Sequence, residues 1–145
     1  MKEIVGELWD YYKKLNTVIL ITTNGFVKKN GCGVMGRGCA LEASQRIKQF
    51  PALLGYHIQK NGNVPMRVPG EPILTFPVKH SWWEQADLKL IKRSAEWLAG
   101  CDDSYTYVLP RPGCGNGKLD WPTVKRVLES AELQDNVWVI SHGSN

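Results

Sequence analysis

Two glycine-rich segments carry the residues that are best suited to hold a ligand. The first runs from Asn24 to Gly38, and the second runs from Pro110 to Asp120. Glycine admits a positive φ angle and allows a ligand to approach the main chain closely. Exposed N–H groups in such a loop can surround an anion, and an adjoining helix start adds further donors and a positive dipole. Two such loops facing one crevice suit a diphosphate, although tight turns explain the glycines equally well.

The common nucleotide motifs do not account for either segment. The pattern Gly-x4-Gly-Lys-Ser/Thr is absent, and neither Ser nor Thr follows the lysine of the stretch from Gly113 to Lys118. The glycines from Gly31 to Gly36 have no acidic residue about twenty positions further on, which a dinucleotide motif uses to bind a ribose. We therefore expect neither a P-loop nor a dinucleotide-binding turn.

Lys79, His80 and Asp120 have side chains that could react. Lys79 follows an apolar segment, where burial would lower its pKa and free the amine as a nucleophile. It could instead stabilise developing charge, or lie in solvent as an ordinary loop lysine. His80 is a candidate proton shuttle beside it. Asp120 suits acid–base work, but it suits the N-cap of a helix better.

The cysteines and histidines give little support for a metal or a cofactor. The four cysteines form no Cys-x-x-Cys pair, and none of the three histidines has another four residues away. Cys32 and Cys114 lie in the glycine-rich segments, but the sequence ties neither thiol to a basic partner. Both are better explained as small side chains in tight loops. We expect no bound metal and no cofactor.

Composition places the chain among ordinary globular proteins. It has 145 residues, of which 43% are hydrophobic and 22% are charged, with a formal net charge of +4. These values exclude a disordered tail, a collagen-like fibre and a disulfide-rich mini-protein. We expect one domain over residues 1–145, no membrane span, a cytoplasmic location and a monomer. The basic residues are scattered, so a polyanionic partner is permitted without being indicated.

Apolar runs and helix signals alternate along the chain, which predicts an α/β fold. Helices are expected from Gly38 to a break at Pro51, with a turn or two beyond it, and from a capping box at Ser81 to Gly100. A third should start at the N-cap Asp120. In the second, Trp82 and Trp83 could stack on a base or ribose, and the helical period predicts that one of them is in the core. The predicted strands are Val18–Ile21, Ile73–Phe76, Tyr105–Leu109 and Val137–Ile140, with weaker candidates at Ile4–Val5 and Val64–Val68.

Four stretches in this order resemble the macrodomain superfamily, whose members bind ADP-ribose. More narrowly, the chain resembles the branch of terminal ADP-ribose glycohydrolase and of the antitoxin that removes ADP-ribose from thymidine in DNA. The resemblance implies a three-layer α/β/α sandwich with a mixed, mostly parallel sheet of about six strands. It also implies one ADP-ribose in a cleft across the strand ends. The four stretches are Asn24, Gly33–Gly38, Phe76–Lys79 and Gly113–Trp121.

The resemblance also assigns parts of the ligand to parts of the chain. It implies that Glu7 occupies the place of the acidic residue that binds the adenine amine. The first glycine-rich segment would hold the distal ribose and a phosphate, and the second would close over the diphosphate. The ligand-binding residues implied in this way are Glu7, Leu8, Asn24, Cys32, Gly33, Val34, Met35, Gly36, Arg37, Gly38, Gly113, Cys114, Gly115, Asn116 and Gly117.

Departures from the family pattern point to Lys79 as the catalytic residue. Met35 stands where some macrodomain hydrolases have an aspartate, whereas Lys79 matches the lysine of the glycohydrolase branch. Gly117 stands where the animal glycohydrolase has a second aspartate. The resemblance implies an ADP-ribosyl hydrolase that cleaves the bond from the distal ribose to DNA, protein or phosphate. The alternatives are a non-catalytic ADP-ribose reader, an ADP-ribose-1″-phosphate phosphatase and a small nucleic-acid-binding domain.

Overall fold

Five strands form one sheet in which every pair of neighbours runs parallel. The structure is a computed structural model that describes residues 1–142, so the domain boundary expected at Asn145 lies outside the described residues. The strand order is β1-β5-β4-β2-β3. Because the strands are parallel, all of their carboxyl ends lie at one edge. The strands are β1 (Lys2–Val5), β2 (Thr17–Asn24), β3 (Ile73–Lys79), β4 (Thr106–Pro110) and β5 (Val137–Ser141).

Helices cover both faces of the sheet. Alternate residues of β2 separate into two cores, with Val18 and Leu20 on one face and Ile19 and Ile21 on the other. This alternation follows from the period of two in a strand, and burial on both faces explains the continuous apolar run. The α/β/α sandwich is therefore confirmed. The helices are α1 (Gly38–Arg46) and α2 (Phe50–Asn61) on the second face, α3 (Leu88–Ala99) and α4 (Trp121–Ser130) on the first, and a short 3-10 helix at Leu8–Tyr11.

The segment Val64–Val68 does not form the predicted strand. It contacts β3 through one antiparallel bridge, between Arg67 and Leu74. Pro65 and Pro69 lie in and next to this segment and have no N–H to donate, so a longer ladder cannot form there. The described sheet therefore has five strands, all of them parallel, where about six in a mixed sheet were expected.

Pro51 lies in the first turn of a second helix and does not end the first, so the predicted helix from Gly38 to Pro51 is too long. Helix α1 stops at Arg46, and α2 begins at Phe50 with the proline in its first turn. Proline is favoured at that position because the first helical N–H groups have no intrahelical partner. The predicted turn or two is in fact a helix of 12 residues.

Helix α3 begins later than predicted. Asp87 is its N-cap and accepts a hydrogen bond from the Lys89 amide at 2.9 Å, whereas the expected capping box at Ser81 closes only a turn. The apolar pattern that continues upstream of Asp87 is therefore not helical. Trp82 and Trp83 are 54% and 60% exposed, so the expectation that one of them is in the core is wrong.

In residues 1–142, no helix combines the length and the apolar character that a bilayer crossing needs.

Candidate functional site

The two glycine-rich loops lie side by side at the carboxyl edge of the sheet. Loop 1 (residues 25–37) follows β2, loop 2 (residues 111–120) follows β4, and these two strands are hydrogen-bonded neighbours. Glu7 lies just beyond β1 at one end of this edge, and Lys79 ends β3 at the other. Four strand spacings separate the two ends, which is about 19 Å. An extended nucleoside diphosphate sugar can span that distance.

The side chain of Asn24 holds loop 1 against the end of β2. Its Nδ2 donates to the Val34 carbonyl at 3.2 Å, and its Oδ1 accepts from the Phe26 amide at 3.0 Å. The Gly33 amide donates to the Pro51 carbonyl at 2.8 Å and fixes the middle of the loop on α2. Asn24 therefore positions the loop, and its predicted contact with the distal ribose stays a prediction.

Three of the loop glycines are required by close packing. A Cβ atom on Gly33 would lie 2.9 Å from the Leu54 side chain, and one on Gly113 would lie 2.9 Å from Ala86. A Cβ atom on Gly117 would lie 2.5 Å from the Gly113 carbonyl oxygen. These glycines shape the loops and do not by themselves indicate a ligand.

Other loop glycines face open space. A Cβ atom on Gly36 or Gly115 would meet no heavy atom within 4 Å. Gly38, with φ of +63°, starts α1, and its Cβ position lies 3.6 Å from Asn116 Nδ2, so the side chain of Asn116 contacts the start of α1. No side chain of the described residues caps the start of α1. Gly36 and Gly115 therefore expose main chain on the two loops, where its N–H groups could bind a phosphate.

Two of the predicted ligand-binding side chains lie in the core. Leu8 and Met35 are 8% and 9% exposed, and both belong to the core beneath α1 and α2. Cys32 and Val34 are half-buried, and each uses its carbonyl within the loop, Cys32 for the Lys28 amide and Val34 for Asn24. Any ligand contact by Leu8 or Met35 would come from the backbone, and these contacts stay predictions.

Lys79 joins the end of β3 to loop 2. Its Nζ donates to the Asn116 carbonyl oxygen at 3.1 Å. Its own carbonyl accepts from the Gly25 amide at 3.1 Å and from Asn63 Nδ2 at 2.9 Å. These bonds hold the Lys79 backbone where the two loops meet, with its ammonium aimed at loop 2.

Burial and two further cations act on the Lys79 ammonium. Burial lowers the pKa of Lys79 most, and repulsion from Arg37 of loop 1 and Lys118 of loop 2 lowers it further. The cations lie in exposed parts of the two loops, which an anionic ligand would have to enter. The two loops thus combine exposed main chain with the positive charges of Arg37 and Lys118, an arrangement that attracts a phosphate.

Sequence reasoning missed Lys118 and Asn63. The convergence of Lys118 on Lys79 depends on the path of loop 2, where Lys118 adopts a φ of +64°. Its place directly after the glycine-rich stretch was an available signal. Asn63 lies beyond the end of α2 and carries no motif that would mark it.

His80 and Asp120 are occupied by structural roles. His80 Nε2 lies 2.7 Å from Oδ2 of Asp87, the N-cap of α3. Asp120 accepts from both the amide and the hydroxyl of Thr123, at 3.0 and 2.8 Å, and these bonds lower the pKa of Asp120. In the structure, Asp87 and Asp120 therefore each cap a helix, and His80 contacts the carboxylate of Asp87.

Of the remaining candidates, Cys114 is poorly suited to act as a nucleophile, whereas Glu7 is accessible to a ligand. Burial raises the pKa of the Cys114 thiol to about 11, so it is a poor nucleophile at neutral pH. The Oε1 atom of Glu7 lies 3.1 Å from His142 Nδ1. The side chain is nevertheless exposed, so a ligand can reach it. Among residues 1–142, no three His, Cys, Asp or Glu side chains are grouped closely enough to hold a metal.

Comparisons with known proteins support the fold. No family model matches the chain, and no curated protein matches it. The Thermosipho africanus DarTG in complex with ADP-ribose superposes over 96% of this chain with a TM-score of 0.76 and 18% identity. This chain spans only 41% of that protein. The macrodomain of Thermus aquaticus DarG gives a TM-score of 0.73 at 24% identity, with 97% of each chain covered.

A second DarG domain agrees with these matches. The macrodomain of Mycobacterium tuberculosis DarG gives a TM-score of 0.69 at 22% identity, covering 94% of this chain and 96% of that one. The sheet, the helices on both of its faces and these superpositions lead to the same conclusion. The chain has the macrodomain fold, and it resembles the macrodomains of DarG.

Proposed function

We propose that this protein binds ADP-ribose along the carboxyl edge of the sheet and hydrolyses the bond between the distal ribose and an acceptor. The adenine would lie at Glu7 and the diphosphate between loops 1 and 2. The distal ribose would lie at Asn24 and Lys79. One observation carries the proposal: the Lys79 ammonium lies close to Arg37 of loop 1 and Lys118 of loop 2, beside loops that expose main chain at Gly36 and Gly115. The ADP-ribose in the Thermosipho DarTG structure supports the choice of ligand.

The lowered pKa of Lys79 suits a nucleophilic role. The neutral amine would attack C1″ of the distal ribose while the bond from C1″ to the acceptor breaks. The acceptor would leave with the bonding electron pair and take up a proton. Water would then add at C1″ as the bond to Nζ breaks, giving free ADP-ribose and the original lysine. A charged Lys79 would act differently, by stabilising the leaving acceptor while water attacks directly.

A reader without turnover is the second candidate. The observation that favours it is the bond from Lys79 to the Asn116 carbonyl, which occupies the ammonium within the protein. Such a protein would bind ADP-ribose between the same two loops and would release nothing from a modified substrate. Turnover assays therefore separate the two candidates, whereas binding assays do not.

The test compares ADP-ribose release with ADP-ribose binding in matched lysine variants. We expect Lys79→Ala to lower release from ADP-ribosylated oligonucleotides or peptides by about 100-fold or more. Calorimetry should give the same affinity for free ADP-ribose within about threefold, because Lys79 acts beyond the diphosphate. Lys79→Arg separates the two mechanisms, since arginine stays charged and cannot act as the nucleophile. Lys60→Ala, at an exposed lysine near the end of α2, is the control.

Two results would contradict the proposal. Wild-type turnover by Lys79→Ala would remove Lys79 from the mechanism. The other is a wild-type protein that binds ADP-ribose but releases none from either substrate, which would establish the reader instead.

A further inference from the structure

Glu3 on the edge strand β1 contacts both ends of loop 2. Its Oε1 accepts a hydrogen bond from the indole Nε1 of Trp121 at 2.9 Å and lies 3.8 Å from Nη2 of Arg111. Arg111 is the first residue of loop 2, and Trp121 directly follows its last residue. Oε2 of Glu3 accepts from Lys125 Nζ at 2.7 Å, one turn further along α4. One carboxylate on another strand therefore joins the two points at which loop 2 leaves the sheet and enters a helix.

The two ends of loop 2 also contact each other. The guanidinium carbon of Arg111 lies 4.9 Å from the centroid of the Trp121 ring, which is a favourable cation–π distance. The side chains of Glu3, Arg111 and Lys125 are each 38% or 39% exposed. Ion pairs with this much exposure contribute little to stability. This β1 cluster (Glu3, Arg111, Trp121 and Lys125) is therefore better suited to fix the position of loop 2 than to stabilise the fold.

Loop 2 is held from the opposite edge of the sheet as well. The Ala86 amide, before α3, donates to the Gly117 carbonyl at 3.1 Å, and Lys79 of β3 donates to the Asn116 carbonyl at 3.1 Å. Both acceptors lie in the second half of the loop, whereas the β1 cluster holds its two ends. The loop is thus fixed from both edges, and between these contacts Gly115 keeps its main chain open.

We propose that Glu3 is a positioning residue for ADP-ribose binding, which holds loop 2 through Arg111 and Trp121 in the conformation that receives the diphosphate. This inference rests on the proposed function, because it assigns the diphosphate to loop 2. The hydrogen bond from Lys125 is the largest cause that lowers the pKa of Glu3, so the carboxylate is charged at neutral pH. A loop that is already ordered loses little conformational entropy when the ligand binds. Removing Glu3 should therefore weaken binding while the fold persists.

Calorimetry with free ADP-ribose measures this effect, at a temperature well below the Tm of every variant so that all of the protein is folded. We expect Glu3→Ala to weaken binding by about fivefold or more, because loop 2 would then have to become ordered on binding. Glu42→Ala is the matched control. It removes a partly exposed carboxylate that pairs with Arg46 within α1, on the other face of the sheet. It should bind ADP-ribose as the wild type does.

A second variant tests the same contact without changing the charge. Trp121→Phe removes the indole N–H and keeps an aromatic ring for Arg111. We expect it to weaken ADP-ribose binding in the wild type and to have no further effect in Glu3→Ala, where the contact is already lost. An equal loss in both backgrounds would show that the two residues act independently, which would overturn the inference.

Hydrogen exchange measures the order of loop 2 without a ligand. The amides of Lys118 and Leu119 donate to carbonyls within the loop, and they should exchange faster in Glu3→Ala than in the wild type. The amide of Ile91 in α3 should exchange at the same rate in both proteins, which excludes a general loss of stability.

The outcomes separate this inference from the proposed function. Wild-type affinity in Glu3→Ala would overturn the inference, as would unchanged exchange of the loop 2 amides. An equal loss of affinity in Glu42→Ala would also overturn it, since the effect would then reflect net charge alone. Failure of the wild-type protein to bind ADP-ribose would instead refute the proposed function.

Discussion

The Lys79 ammonium donates to the main-chain carbonyl of Asn116 at 3.1 Å, and this bond joins the end of β3 to loop 2 across 37 residues of sequence. The acceptor is a backbone atom, so the contact does not depend on the side chain at position 116. It holds the ammonium at the point where the end of β3 meets loop 2. The ammonium keeps two further donors for a ligand, whose negative charge would be favoured by Arg37 and Lys118 nearby.

The lowered pKa of Lys79 predicts the pH dependence of turnover. If the neutral amine attacks C1″, the single-turnover rate should rise with pH and level off with a midpoint below 10.5, the ordinary lysine value. Rapid-quench measurements of ADP-ribose release across the pH range would check this. A rate that falls through the same range would instead indicate that the charged form of Lys79 is the active one.

The lowered pKa of Lys79 also predicts that removing this side chain raises stability, whereas removing most side chains lowers it. Burial, Arg37 and Lys118 disfavour the charged Lys79 in the folded state, so the charge lowers stability at every pH below the folded pKa. Lys79→Met removes this charge and should raise the Tm at pH 7. The gain should fade as pH rises from the folded pKa towards 10.5, where the unfolded lysine also loses its proton. Lys79→Arg keeps the charge and should show no gain, and a Tm lowered by Lys79→Met at every pH would contradict this account.

Two glycines of loop 2 should respond differently to the same substitution. Gly117→Ala should destabilise the protein by about 2 kcal/mol or more, because its Cβ would lie 2.5 Å from the Gly113 carbonyl oxygen. Gly115→Ala should change the free energy of unfolding by less than about 0.5 kcal/mol, since its Cβ meets open space. It should nevertheless weaken ADP-ribose binding by keeping the diphosphate from the main chain. Urea unfolding measures the first effect and calorimetry the second. Unchanged binding by Gly115→Ala would show that Gly115 is not part of the ADP-ribose site.

Gly55 in α2 should be another position where alanine is harmful. Alanine normally stabilises a helix relative to glycine by about 1 kcal/mol. Here its Cβ would lie 1.9 Å from the Gly31 carbonyl oxygen, so loop 1 would have to move away from α2. We expect Gly55→Ala to lower both the Tm and the affinity for ADP-ribose. The control is Ala52→Gly on the exposed side of the same helix, which should lower the Tm slightly and leave binding unchanged.

Asp120 should matter for stability and not for turnover. Its carboxylate caps α4, so Asp120→Ala should lower the Tm by about 2 to 4 °C. Asp120→Ser keeps a capping oxygen and should restore most of the loss. Single-turnover release should be unaffected in both variants, and a large loss of rate in Asp120→Ser would restore the acid–base reading of this residue.

Local chemistry was enough to predict the elements whose signals lie within a few residues. The β-branched run Val18–Ile21 marked a strand buried on both faces, and Asp120 with Pro122 marked the start of α4. The predicted start of α3 was wrong, also for a local reason. The apolar residues around Trp83 have the spacing of a helix. The helix begins only after Asp87, which caps it and is held by His80.

The site itself was only partly predictable, because its key relationships join distant segments. Parallel strands place both glycine-rich loops at one edge, and this followed from the order of strands and helices. The bond from Lys79 to Asn116 and the approach of Lys118 depend on how loop 2 turns, which no spacing in the sequence reveals. The packing of Gly33 against Leu54 was equally hidden, since it joins loop 1 to a helix that was predicted as a turn or two.

A crystal structure of the complex with ADP-ribose tests the central claim most directly. The account predicts a diphosphate seated between loops 1 and 2, against the open main chain at Gly36 and Gly115. It also predicts that Lys79 Nζ has left the Asn116 carbonyl and lies about 3 to 3.5 Å from C1″ of the distal ribose. ADP-ribose bound away from these loops, or a distal ribose that leaves the bond from Lys79 to Asn116 intact and C1″ out of reach, would contradict it.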